Sequence, residues 1–484
     1  MALQWIGSPE HTRWLGQHTQ ALLDFARRSR VPGGFGWIGP NGVVDSSRPV
    51  ELWITGRMTY VFSVGVLLGV PGCRRYADHG VQALTNAFWD ETNGGWFSAI
   101  EGELDEDGHG RPAPGFTRKE CYQHAFVLLG AATALAAGRP GATAMLKQAL
   151  EVHERYFFDH SQSMPTESYA LDFTDPEDYR GINAAMHTVE AYLAIADATG
   201  DDRGLERALG IVDFAINQQA RAHGWRIPEH YSTTWVPDPD YNIDEVAHPF
   251  RPFGITPGHG LEWARLTVQL RAALLEVGLE APDWMLPAAL ELFTRSRVDG
   301  WNRDGAPGLV YTVDFVGTPV VHERMHWVTC EAISAAAALH CALVNEPVPL
   351  AAKATSMAYL EHAYRSAWDY CEQYIIGGGD PFTRAEIDPQ NAPLDQAGAW
   401  VHELDQANQP STRTWAGHPD IYHALQATLM PRLPVWPAMA QALAEGRLDK
   451  PASPVPASAK PTRRRGVFPR GGGRSAGAVT PPLI

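Results

Sequence analysis

The chain has 484 residues, a formal net charge of −16, 45% hydrophobic and 19% charged residues. This is the composition of a globular protein with a sizeable core, and the acidic balance argues against nucleic acid or an anionic membrane as the main partner. The five cysteines form no CxxC pair and sit in apolar or helical surroundings, so buried free thiols are expected, not a disulfide framework or a zinc site.

The first residues, MALQWIGSPEHTRW, show neither a basic n-region nor an apolar h-region. No apolar run approaches the length of a membrane span. A cytoplasmic protein is the expectation. From about His11 onward, helical patterns alternate with loops punctuated by Gly and Pro. Six segments share one peculiarity: polar, aromatic or ionisable residues crowd the first turns, and a mostly apolar body follows. In chain order they are LWITGRMTYVFSVGVLLGV, CYQHAFVLLGAATALAA, INAAMHTVEAYLAIADA, GHGLEWARLTVQLRAALLEV, HWVTCEAISAAAALHCALV and DIYHALQATLMPRL, marked by Arg57, His124, His187, His259, Glu331 and His423. Amphipathic stretches such as RWLGQHTQALLDFARRS, YADHGVQALTNAFW and RGLERALGIVDFAINQQA lie between them. Short strand-like pieces (GGFGWIG, GGWFSAI, GWRIPEHY, GLVYTVDF) recur in the long connections.

A repeat of helix pairs with reactive groups at the same end of every alternate helix predicts an all-α (α/α)6 barrel. Inner helices would place their polar ends at one mouth, and short β-hairpins would rim it. A solenoid would bury the same apolar faces without explaining the common end. The barrel is expected over residues 1–448. Residues 449–484, rich in Pro, Gly, Ser and Ala and mostly basic where charged, are expected to form a disordered tail.

Chemistry concentrates at a few positions. In GITPGHGLEW, Pro257 and Gly258 suit a turn into a helix, and His259 and Glu262 project from one face. A carboxylate beside an imidazole raises its basicity, which makes a general-base unit. A capping His is the plainer reading. A metal half-site would need further Glu-x-x-His units, and the inner segments hold none. His423 follows Pro419 and Asp420 at a helix start; alone it reads as core, but its place in the repeat matches that of His259. Two imidazoles across one cavity can move a proton between adjacent carbons. Arg57 is a cation in apolar sequence, held either for a sugar oxygen and a developing enediolate or simply paired with Glu190 or Glu331. Trp53, Tyr122, Trp327 and Trp415 offer flat walls for a sugar, although many of the 16 Trp must be ordinary packing. Nucleotide, hydride and Ser-triad motifs are missing.

Together, LWITGRMTYVFS, GGFGWIG, EDYRGINAAMHTVEAYL, FRPFGITPGHGLEW and DIYHALQ resemble the sugar isomerases of the N-acylglucosamine 2-epimerase superfamily, over about His11 to Leu448. The nearest branches isomerise D-mannose and sulfoquinovose. The resemblance implies an (α/α)6 barrel and proton transfer through a cis-enediol without metal or other cofactor. It implies His259 and His423 as the acid/base pair, with Arg57, His187 and Glu262 supporting them. Trp53, Tyr122, Asn183, Trp327, Glu331 and Trp415 would shape the substrate pocket. The sulfoquinovose branch has Arg where Pro249 stands and Gln where His402 stands. A proline offers an anion neither side-chain charge nor N–H, so a neutral monosaccharide such as mannose, with lyxose as a relative, is the implied substrate. A 2-epimerase of the same superfamily is the nearest alternative. An (α/α)6 glycoside hydrolase using Glu262 and Glu331 is a more distant one. The oligomeric state is left open.

Overall fold

The computed structural model describes residues 4–376, 398–435 and 437–450. Its helices are α1 (Pro9–Ala26), α2 (Leu52–Leu67), α3 (Cys73–Gln82), α4 (Cys121–Ala136), α5 (Ala142–Val152), α6 (Ile182–Thr199), α7 (Arg203–Val212), α8 (Pro257–Val277), α9 (Met285–Gly300), α10 (His326–Asn345), α11 (Leu350–Tyr370), α12 (Tyr422–Leu429) and α13 (Met439–Ala444).

Even-numbered α2 to α12 touch in sequence, and α12 touches α2, which closes a ring of six inner helices. Each carries an outer partner: α3 on α2, α5 on α4, α7 on α6, α9 on α8, α11 on α10. The sixth outer helix is α1, the first of the chain, which packs on α12 and seals the last gap. The expected (α/α)6 architecture is therefore present. Inner helices such as α2, α4 and α10 are buried on nearly every face, which explains why they lack an amphipathic stripe. One of them, α10, is long and apolar enough to cross a membrane, contrary to the expectation from sequence; 83% of its apolar window is buried by the surrounding helices. The free thiols Cys73, Cys121, Cys330 and Cys371 are buried, and Cys341 is half-buried.

The strand-like pieces act as clamps between repeats. The residues entering an inner helix pair antiparallel with the segment that follows that helix's outer partner: Val50 with Ile100, Lys119 with Tyr169, Gly181 with His230, Ile255 with Val313, and Met325 with Glu403. In the sixth, His418 before α12 pairs with Ile38 after α1. None of α2, α4, α6, α8 and α10 has a side-chain N-cap. Clamp carbonyls take first-turn N–H groups instead: Leu52 donates to Ser98 O (2.9 Å), Cys121 to Glu167 O (2.7 Å), Ile182 to Glu229 O (3.0 Å) and His326 to His402 O (2.9 Å). The N-terminal ends of the inner helices are thereby fixed around one mouth.

From residue 451 the expected tail lies outside the described residues. Asp449, its first residue, accepts hydrogen bonds from Arg432 at 2.9 and 2.7 Å.

Helix α2 approaches α4 most closely at Gly56, where a Cβ would stand 2.8 Å from Phe126 Cβ and 3.0 Å from its backbone. Gly56→Ala gains about 1 kcal/mol of helix propensity. Against that, overpacking costs roughly 1–3 kcal/mol. Thermal unfolding of this variant is expected to show a lower Tm than the wild type, and a rise in Tm would contradict the close approach.

Candidate functional site

The inner-helix N-terminal turns surround a cavity of about 660 Å³. Arg57 and Trp53 reach it from α2, Tyr122 from α4, Asn183 and His187 from α6, His259 and Glu262 from α8, His326 and Trp327 from α10, and His423 from α12. Loops add Pro249, Phe250, Tyr311, His402, Trp415, Pro419 and Asp420. All of the expected site residues except Glu331 thus line one space.

Three histidines are built alike. His259 Nδ1 meets Glu229 Oε2 at 2.8 Å, His423 Nδ1 meets Glu331 Oε1 at 2.9 Å, and His187 Nδ1 meets Glu190 Oε2 at 3.2 Å. A carboxylate on Nδ1 holds the proton there and leaves Nε2 as a base. The expected partnership of His259 with Glu262 is therefore corrected. The two share a helix face, but His259 sits in the first turn and its ring turns to Glu229, the residue just before the clamp strand His230–Tyr231. Glu229 is fixed in turn by accepting from Thr256 N at 3.1 Å. At Gly258 a Cβ would fall 2.6 Å from the Trp327 ring, so only glycine lets that indole lie against the turn carrying His259. Trp327 stands between the two histidines, its ring centroid 5.2 Å from His259 and 5.6 Å from His423.

Glu262 turns instead to Arg265, whose Nη2 donates to Glu262 Oε1 at 3.0 Å. Arg265 Nε donates to Glu331 Oε2 at 2.9 Å, and Nη1 lies 3.9 Å from Glu190. Glu331 is corrected from substrate contact to support: it is wholly enclosed, with its oxygens taken by Arg265 and His423. Burial lowers the His423 pKa well below the ordinary imidazole value, with nearby Arg57 adding to the effect, and burial takes His187 down to about 4. Burial raises Glu190, but hydrogen bonds from His187 and Tyr422 and the Arg265 charge outweigh it and hold the group low.

Arg57 pairs with neither Glu190 nor Glu331. Its Nη1 donates to Asp420 at 3.1 Å and its Nη2 to Tyr122 Oη at 3.0 Å, while the guanidinium lies 4.4 Å from the Phe126 ring centroid and 5.0 Å from that of Trp53. The Trp53 indole N–H is taken by Glu51 at 2.6 Å, so this ring serves as a wall and not as a donor. By contrast, several buried polar atoms around the cavity have no partner among the described residues: Asn183 Oδ1, Trp415 Nε1, Arg57 Nε and both ring nitrogens of His326. His326 stacks on His402, centroids 3.8 Å apart. Aromatic walls carrying unmatched donors and acceptors suit a polyhydroxylated neutral ligand. Arg251 is engaged elsewhere, by Glu177 at 2.6 Å and Glu167 at 3.4 Å.

Two groups of donors come within 4.8 Å of one another and could in principle hold a cation: His187, Glu190 and Glu262, and Glu262, Glu331 and His423. His187 and Glu190 repeat the His-x-x-Glu spacing of His259 and Glu262. The positive charge among these donors is already supplied by Arg265, and each imidazole spends Nδ1 on a carboxylate. Reading the sequence missed Glu229, Arg265, Asp420 and His326 as parts of the site. Glu229 lies in the strand-like GWRIPEHY, where nothing in the pattern links it to a helix one repeat later. Arg265, one turn beyond Glu262, carried a signal: a cation in an otherwise apolar inner helix. The marker His124 lies outside the cavity, bonded to Glu120 O (2.7 Å) and to Trp96 N–H (3.2 Å).

The N-acylglucosamine 2-epimerase (GlcNAc 2-epimerase) family profile matches residues 33–427. The chain is 41% identical over 440 residues to a D-mannose isomerase of Pseudomonas cannabina pv. alisalensis, covering 91% of this chain and 97% of that one. It is 42% identical over 442 residues to a D-mannose isomerase of Thermobifida fusca, covering 91% and 98%. Among solved structures, a D-mannose isomerase superposes with a TM-score of 0.72 at 25% identity, covering 87% of this chain and 97% of that one. A cellobiose 2-epimerase from Spirochaeta thermophila shares the fold, with a TM-score of 0.66 at 18% identity over 87% and 97% of the two chains.

Among the described residues Arg265 is the cation paired with Glu262, Glu331 and Glu190, so Arg265→Met is expected to destabilise the protein by roughly 3–5 kcal/mol. Without the guanidinium, the folded-state pKa values of Glu262 and Glu331, already raised by burial, rise further above their unfolded values, and that of Glu190 rises from its low value. The folded state then binds more protons, and stability falls as pH rises. Thermal unfolding across the acid range should therefore show the gap to wild type narrowing as pH is lowered.

Proposed function

Because the chain belongs to the N-acylglucosamine 2-epimerase family, we propose that it is a metal-independent aldose–ketose isomerase converting D-mannose to D-fructose through a cis-enediol, with D-lyxose to D-xylulose as a related reaction. The observation that carries this reading is the pair His259 and His423 on either side of Trp327, each with Nδ1 held by a carboxylate. Curated D-mannose isomerases aligned over nearly their whole length support the choice of sugar.

In this reading the sugar lies between the aromatic walls as its open-chain form. Nε2 of His259 takes the C2 proton, and His423 is the second proton-transfer group across the cavity. Arg57 remains cationic: burial disfavours its charge, but Tyr122 and Asp420 more than offset that, and it steadies the charge developing on the enediolate oxygens. The converging helix N-termini add positive potential at the same place. Pro249 stands at the wall where the sulfoquinovose branch has Arg, and Arg251 is committed to Glu177 and Glu167, which supports a neutral sugar over sulfoquinovose.

Incubation with D-mannose in deuterated water should yield D-fructose carrying solvent deuterium, with a rate unchanged after thorough chelation. Activity lost to EDTA and restored by one divalent ion would sink the metal-free part, and glucose as first product would point to epimerisation. A second test isolates the partner of His259. In Glu229→Gln the amide can donate to Nδ1 and push the ring proton onto Nε2, the wrong tautomer for a base. Steady-state kinetics should show kcat falling by roughly 10² to 10⁴, comparable to His259→Asn. The double variant should lose little more; additive losses would mean that Glu229 acts independently of His259.

A further inference from the structure

The floor of the cavity gathers more negative charge than its cation can balance. Glu190, Glu262 and Glu331 surround Arg265, whose closest contacts to them are 3.9, 3.0 and 2.9 Å, and all four side chains are buried. Arg57, facing the group from α2, is committed to Asp420. His187 from α6 and His423 from α12 are kept uncharged by burial, and the phenols of Tyr122 on α4 and Tyr422 on α12 keep their protons for the same reason. Two of the carboxylates have more than one hydrogen-bond donor, although burial raises Glu331 as well. Glu190 accepts from Tyr422, from Gln426 at 3.2 Å and from His187, while Glu331 accepts from both Arg265 and His423. Glu262 takes its hydrogen bond from Arg265 alone of these groups, and of the three it is the one that reaches the cavity. Two carboxylates competing for one guanidinium in a dry site cannot both stay ionised cheaply. Burial, followed by the Glu331 charge, drives Glu262 upward, toward its protonated form. It also stands between the two imidazoles, within 4.8 Å of His187 on one side and of His423 on the other.

We infer that Glu262 stands in the cavity as a neutral carboxylic acid and carries protons between O1 and O2 of the open-chain sugar, the two oxygens that exchange roles when an aldose becomes a ketose. This rests on the aldose–ketose reading above. In the first half, His259 takes the C2 proton, the C2–H electron pair forms the C1=C2 bond, and the C1=O1 pair takes the proton of Glu262. In the second half, the Glu262 carboxylate removes the proton from O2, and that O–H pair forms C2=O2. The C1=C2 pair then takes the proton of the His259 imidazolium at C1. Carboxyl and imidazole both end as they began, and no oxidant, reductant or net proton is needed.

Infrared difference spectra of the full chain, wild type against Glu262→Gln near neutral pH in H2O and D2O, test the protonation directly. A deuterium-sensitive carboxylic-acid carbonyl band should be present in the wild type and missing from the variant; loss of carboxylate bands instead overturns the assignment. Should Glu262→Gln not fold, Glu262→Asp should shift that band, and a change confined to the carboxylate region counts against it. The carrier role has its own readout. In Glu262→Gln, conversion of mannose should fall by roughly 10² to 10⁴, while exchange of the C2 proton with solvent falls much less, because His259 still forms and reverses the enediolate. Equal losses in both overturn the role. A wild type that exchanges no C2 proton of any aldose overturns the isomerase reading and the carrier with it, whereas the infrared band tests protonation alone.

Discussion

One guanidinium in the middle of the barrel holds the rest of the site in place. Arg265 projects from α8, bonds Glu331 of α10 and Glu262 of its own helix, and faces Glu190 of α6. Through Glu331 it sets the ring of His423, and Glu190 sets the ring of His187. A buried charge cluster of this kind adds little net stability compared with apolar packing, since desolvation consumes most of the Coulomb attraction. Its effect is geometric: side chains from four inner helices have one arrangement in which every charge has a partner.

That arrangement requires the helices to meet at their N-terminal ends, and the clamps provide this. By giving the first N–H groups of inner helices to backbone carbonyls, the fold spares side chains from capping. The first-turn positions are then free to carry Trp53, Tyr122, Asn183, His259 and Trp327. The same strands deliver the second layer: Glu229 hands its carbonyl to Ile182 and its carboxylate to His259. The placing of cavity side chains and the clamping of the helix ends therefore share the same few residues, and a fault in one clamp would disturb both.

The two proposed proton-transfer histidines are not electrostatically equal. Burial, with Arg57 nearby, makes the His423 imidazole resist protonation, and the carboxylate behind it is also bound by Arg265. The carboxylate behind His259 receives a backbone N–H rather than a guanidinium.

The sequence by itself determined the class of fold, because its evidence is local. Apolar bodies with polar first turns, alternating with amphipathic stretches, can be satisfied only by inner and outer layers of helices. It also determined most cavity-facing positions, since polar residues such as His187 and Arg57 in the first turns of a covered helix mostly find their place at the cavity, His124 being the exception that bonds to backbone instead. The tertiary structure alone decided who partners whom. His259 and Glu262 are neighbours on a helix face, and spacing suggested a bond between them. The actual partner, Glu229, comes from a connection thirty residues earlier, and Arg57 finds Asp420 across the closed ring. Such pairings depend on ring rotamers and on barrel closure by α1 against α12, long-range conditions that periodicity does not encode. The same holds for the charge shared among Glu190, Glu262 and Glu331: each glutamate is unremarkable in its own helix, and becomes a problem in proton bookkeeping only when three helices bring them to one arginine.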